Sequence, residues 1–169
     1  MKKILFASLL LFMIAQGCQS SGQKKAFEYN NKLANITKVN QDKWRAVGQE
    51  ITGAEKSHDY TKLTAQTNDL ISFLDQKITE VTTTENPPGG EELKGSALEF
   101  LKFEKRIAEE TLKPYTLMND QTTPEEFQTA TQALLEAAKE EGPYLAKVQD
   151  AQSAFAKKNG FKLQSASNQ

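Results

Sequence analysis

His58 is the only histidine in the chain and Cys18 the only cysteine, and these two counts bound most of the chemistry its side chains can do. A serine–histidine hydrolase would have to use His58 as its base, and no Gly-x-Ser-x-Gly elbow is present to hold the serine. Di-iron bundles need Glu-x-x-His pairs, haem attachment needs Cys-x-x-Cys-His, and zinc needs three or four His, Cys or acidic ligands. None of these patterns occurs in the sequence, which predicts no metal site and no cofactor. His58, between the cap-forming types Ser57 and Asp59, reads as a surface residue. Pro87-Pro88-Gly89-Gly90 is rich in glycine but lacks the Lys-Ser/Thr that completes a phosphate loop, and it reads as a linker. Carboxylates remain. Glu104 and Glu141 lie near helical seams and are the best candidates for a glycoside-hydrolysing pair, which needs two carboxyls at a set separation across a sugar site. With lysines nearby, both are expected to sit at seam edges and stay solvated, so the expectation is a protein that is not an enzyme.

Cys18 has a different setting. Lys2 and Lys3 open the chain, Ile4 to Ile14 is an apolar run of 11 residues, and Ala15-Gln16-Gly17 brings small residues up to the cysteine. That is the layout of a secretory signal peptide, and the run is well short of the ~20 residues a spanning helix needs. A lone cysteine forms no intramolecular disulfide. The segment resembles a bacterial lipobox, whose cysteine is lipidated and becomes the first mature residue. The common pattern has Leu three places before the cysteine and Ser or Ala two places before; Ala15 and Gln16 stand there, and such looser boxes are similar to those of Bacteroidota. Ordinary signal-peptidase cleavage after Gly17 is the alternative, and would leave a free thiol. By resemblance to lipoprotein sorting, Gln19 in place of aspartate implies outer-membrane delivery, to the periplasmic face or the cell surface.

Removal of residues 1–17 leaves 152, enough for one domain. Twenty-one Lys and Arg stand against 22 Asp and Glu, a balance that favours neither nucleic acid nor an anionic surface as partner. The sequence divides into a signal peptide (1–17), the cysteine and a flexible tether (18–25), a helical domain (26–163) and a disordered tail (164–169).

Four segments carry helical periodicity. In the first, about Lys25 to Lys56, Tyr29, Leu33, Ile36, Val47 and Ile51 form a stripe that Asn40 interrupts, and Gly48 and Gly53 predict an early end. The second repeats Tyr60, Leu63, Thr67, Leu70, Leu74, Ile78 and Val81 at spacings of three and four, then meets the Asn86–Gly90 loop. The third starts near Glu91, with Leu93, Ala97, Phe100, Phe103, Ile107 and Leu112 on one face, and Pro114 must kink or end it. Tyr115, Leu117 and Met118 suggest one more packed turn. The fourth opens on Thr123-Pro124-Glu125-Glu126, a capping box with proline at the first helical position. Its seam runs through Phe127, Leu134, Ala138, Glu141, Leu145, Val148, Gln152 and Phe155, with Gly142-Pro143 expected to split it. Such segments predict an all-α fold, an up-down-up-down four-helix bundle behind a cleaved lipoprotein signal peptide.

Most aromatic residues fall at core spacing. Trp44 is the exception: between Lys43 and Arg45, it reads as a partly exposed partner contact. The lipobox, the helical mature chain and the ending Ala151-Gln152-Ser153-Ala154-Phe155-Ala156-Lys157-Lys158-Asn159-Gly160-Phe161 together resemble a family of uncharacterised surface lipoproteins of spirochaetes and Bacteroidota. The resemblance covers most of the mature chain and implies location and a helical fold, with no catalytic residues. The expected role is a membrane-anchored binding or interaction module; the alternative is a self-associating spacer of the envelope.

Overall fold

The structure, a computed structural model, describes residues 11–12 and 20–165, with side chains described from 20 to 163. Cys18 and most of the expected signal peptide lie outside the described residues. The fold is all-helical, with four helical segments. They are α1 (Ser21–Ser57), α2 (Thr61–Thr83), α3 (Glu91–Ile107) with its continuation to Leu117, and a fourth that breaks at Glu140 into α4 (Pro124–Lys139) and α5 (Glu141–Lys158). A two-residue antiparallel pairing joins Leu11–Phe12 to Gln164–Ser165, so the tail expected from Gln164 is paired at its start.

Each boundary has a local cause. Ser20 caps α1 by accepting from the backbone N–H of Gln23, so the tether expected through Lys25 is already helical from Ser21. Gly48 and Gly53 do not end α1 early. Val47, Ile51 and Ala54 stay buried beside them, and tertiary packing outweighs about 1 kcal/mol of propensity per glycine. His58 closes α1 in the left-handed region at φ 56°, its N–H returning to the Ala54 carbonyl. Asp59 then accepts from the Thr61 N–H at the start of α2. Gly89, at φ +77° and pressed against the Lys158 side chain, turns the chain into α3.

α-helical geometry ends at Ile107, and the chain stays helical past Pro114 with a changed pitch. The helix widens into a π turn over Ala108–Leu112 and tightens into a 3₁₀ turn over Lys113–Leu117. This change of pitch accommodates the missing N–H of Pro114 and the clash of its ring. Tyr115 is fully buried and donates its hydroxyl to Thr131 Oγ1 at 3.0 Å, whereas Leu117 points outward, 77% exposed. The capping box at Thr123 and Glu126 forms in both directions. Pro143 occupies the first turn of α5, where no intrahelical N–H is needed, and its ring bars the helix from running through from Lys139.

α1 packs on α2, α2 on α3, and α3 on α5, with α1 and α5 also in contact. The interior is apolar for most of its length, lined by residues such as Leu33, Leu70, Leu74, Leu101 and Phe155. The aromatic residues do not gather in one region. Tyr29, Phe155 and Phe161 meet edge to face at one end, Tyr60, Tyr115 and Phe127 cluster elsewhere, and Phe103 stacks on Tyr144. Thr123→Ala removes the cap that starts α4 and is expected to lower unfolding free energy by about 1 kcal/mol, read by urea denaturation.

Candidate functional site

Halfway along the bundle the apolar interior gives way to a polar layer. Asn40 on α1, the residue that interrupts the apolar stripe, is 1% exposed and donates from Nδ2 to Glu104 Oε2 at 3.3 Å. Trp44, one turn later, is 2% exposed and lies by the Glu104 carboxyl, whose charged form it favours. Trp44 is therefore no surface anchor: the expectation that it forms a partner contact is corrected by its burial in the core. Its charged neighbours Lys43 and Arg45 reach outward, to Asp69 and Asp42.

Glu104 and Glu141 are the two carboxyls of this layer, and neither stays solvated as the sequence suggests. Glu104 is 1% exposed and Glu141 6%. The flanking cations look outward: Lys105 bridges Asp75 and Glu109, and Arg106 bridges Glu110 and Glu140. Burial pushes the Glu104 pKa up to about 8; the adjacent Glu141 carboxylate adds to the rise, and hydrogen bonds from Asn40 and Trp44 oppose it. Burial alone lifts Glu141 to about 7. Glu141 is the first residue of α5, where the helix dipole favours negative charge. It is therefore the member of the pair that ionises first.

Outside this layer, α3 and α5 form a cavity of about 560 Å³. Its floor is Phe103, stacked on Tyr144 with ring centroids 4.2 Å apart and planes 18° from parallel. The Arg106 guanidinium lies over Phe103 at 5.3 Å, and Pro143 completes the apolar wall. The rim carries Lys102 and a Lys147–Glu99 pair at 3.0 Å. Glu104 and Glu141 do not line this cavity, so the candidate hydrolytic pair lies behind the groove and not across it. His58 sits apart from both features, at the end of α1.

No protein family, no curated protein and no solved structure matches this chain.

The burial of the two carboxyls has little local signature, because it depends on partners far away in the sequence. One signal was available: Asn40 breaks the α1 stripe, and a polar residue at a core position calls for a polar partner. Both carboxyls have pKa values raised above the ordinary 4.5, so the folded chain holds protons that the unfolded chain releases. Their stabilising contribution is complete below about pH 4.5 and disappears as pH rises through about 7 and then 8. Stability should fall with pH across that window, by up to about 1.4 kcal/mol per pH unit for each titrating group. Glu104→Gln, neutral at every pH, is expected to flatten the fall and to be the more stable protein at pH 8.5. Urea midpoints from pH 5 to 9 for both proteins check this, and parallel profiles would count against it.

Proposed function

We propose that this chain is a cell-envelope lipoprotein, cut before Cys18 and held to the outer membrane by lipid on that cysteine. Its helical domain serves as a non-catalytic binding module. The observation that carries the binding reading is the groove between α3 and α5, with its stacked Phe103–Tyr144 floor and charged rim. The anchor reading rests on the lysines, apolar run and small residues that lead to Cys18. No helix among the described residues is long and apolar enough to cross a membrane. Several acyl chains on one residue give stable anchoring, at roughly 0.8 kcal/mol per buried methylene.

The start of α1 supports a short tether. With Ser20 as its cap, only Gln19 separates the lipid-bearing residue from the helical domain. At about 3.5 Å per extended residue, the bundle would ride close to the membrane surface. Cleavage there would also remove Leu11–Phe12 and with them the pairing to Gln164–Ser165. For the topology we favour the up-down-up-down arrangement. The links at 58–60, 84–90 and 118–123 are short, as antiparallel neighbours require.

Native mass spectrometry of the protein from its own host tests both halves. Expected are an N-terminal Cys18 carrying acyl mass, lost with detergent partitioning in Cys18→Ser, and a small bound species that Tyr144→Ala with Arg106→Ala releases. An unmodified thiol and aqueous partitioning would overturn the anchor. A bound species indifferent to the groove substitutions would overturn the binding site.

A further inference from the structure

We propose that Glu104 and Glu141 form a proton-operated latch on the α3–α5 seam. A proton held by the pair keeps the first turn of α5 seated on α3 and the groove formed, and its loss lets Glu141 swing out to water and opens the groove at Pro143–Tyr144. The inference rests on the groove as the binding site and adds its regulation.

Geometry carries it. The two carboxyls come from opposite sides of the seam whose outer surface is the groove. Phe103, the groove floor, precedes Glu104; Pro143 and Tyr144, its far wall, follow Glu141 by two and three residues. Any movement of α5 that separates the carboxyls therefore also separates Tyr144 from Phe103, now stacked at 4.2 Å. The hinge is already present. α4 ends at Lys139, Glu140 is a turn residue, and Gly142 faces open space. Glu141 itself is 6% exposed and lies next to that break, so its path to solvent is short, whereas Glu104 lies inside the bundle at 1%.

Among the described residues, neither carboxyl of the pair makes a salt bridge. From α1, the groups facing Glu104 are the neutral side chains of Asn40 and Trp44. α2, tied to α3 by the Lys105–Asp75 ion pair, contributes Leu70, Phe73 and Leu74 to the buried core. On α4, Lys139 is engaged by Glu136, while Glu140 holds Arg106. On α3, Lys105 and Arg106 point out to those surface acids. On α5, Lys147 pairs with Glu99 at the rim. Two negative charges in that layer would face each other without a counter-ion, which protein interiors tolerate poorly. One proton removes the conflict. Loss of that proton leaves the charged form two ways to regain water: separation of the helices or exit of one carboxylate. Glu141, at the hinge, is the one free to leave.

The chain provides its own reporter. Trp44 is the only tryptophan and lies against Glu104, so its fluorescence reads the charge on that carboxyl. We would titrate the full chain from pH 5 to 9, following Trp44 emission, and record amide hydrogen exchange of residues 141–147 in parallel. Expected is a fluorescence transition between neutral and mildly alkaline pH, abolished by Glu104→Gln and moved to lower pH by Glu141→Gln. Exchange in the first turn of α5 should accelerate at least tenfold across the same transition, and stay slow in Glu104→Gln. A transition that survives in Glu104→Gln, or no transition in wild type, would overturn the latch. So would a fluorescence transition without faster exchange at 141–147, which would leave a titrating pair that moves nothing. Both readouts are made without ligand. Their failure removes the latch and leaves the binding reading standing, whereas an empty groove with an intact transition does the reverse.

Discussion

Two carboxyl groups are held out of water where α3 meets the start of α5, and the middle of the bundle is organised around that fact. Burying a charged carboxylate without a partner is among the most costly things a fold can do. Here the cost is contained by several features at one level. Asn40 donates to Glu104, Glu141 opens α5 where the helix dipole favours negative charge, and burial raises the pKa of both carboxyls. Each feature has a sequence consequence. Asn40 breaks the apolar stripe of α1, Trp44 turns inward between two charged neighbours, and the Gly142-Pro143 step separates α4 from α5 where Glu141 must enter the core.

The rest of the molecule is conventional by comparison. Its remaining ion pairs lie at the surface, as with Lys24–Glu28 and Lys139–Glu136, and each contributes little in high dielectric. Cohesion comes from burial of aliphatic and aromatic side chains, with Tyr115 and Phe155 among the largest that are fully enclosed. The groove between α3 and α5 is therefore unusual twice over. It is an aromatic-floored concavity, and its two walls are the segments that carry the buried carboxyls. The groove and an electrostatically marginal core layer share one seam, so what stabilises either affects both.

Much of the architecture is legible in the sequence, because helix boundaries are written in local chemistry. The Thr123–Glu126 capping box, the Asn86–Gly90 loop and the heptad-spaced seams of α2 and α4–α5 all fold as their patterns predict. Errors arise where tertiary contacts outweigh local signals. Lys43 and Arg45 suggest a solvated Trp44, but neighbours in a helix point about 100° away on either side and say nothing of the face between them. Lysines near Glu104 mislead in the same way: Lys105 faces out to Asp75 while Glu104 turns in to Asn40, 64 positions earlier. Glycines at 48 and 53 weaken α1 only as an isolated helix, and Leu117 points outward because the chain tightens into a 3₁₀ turn after Pro114. The groove has no local signature, since it requires Phe103 and Tyr144 to be brought together from two helices.

On this reading a buried carboxyl pair, and not the surface charge around it, sets how α3 and α5 hold together near neutral pH. The most direct measurement is a carboxyl carbon-13 NMR titration of the glutamate-labelled full chain, with Glu104 and Glu141 assigned by substitution. Expected are two carboxyls that remain protonated well above the ordinary glutamate range, Glu141 releasing its proton before Glu104, and the Glu104 midpoint falling when Glu141 is replaced by glutamine. Two carboxyls that both ionise near pH 4.5, independently of one another, would contradict it.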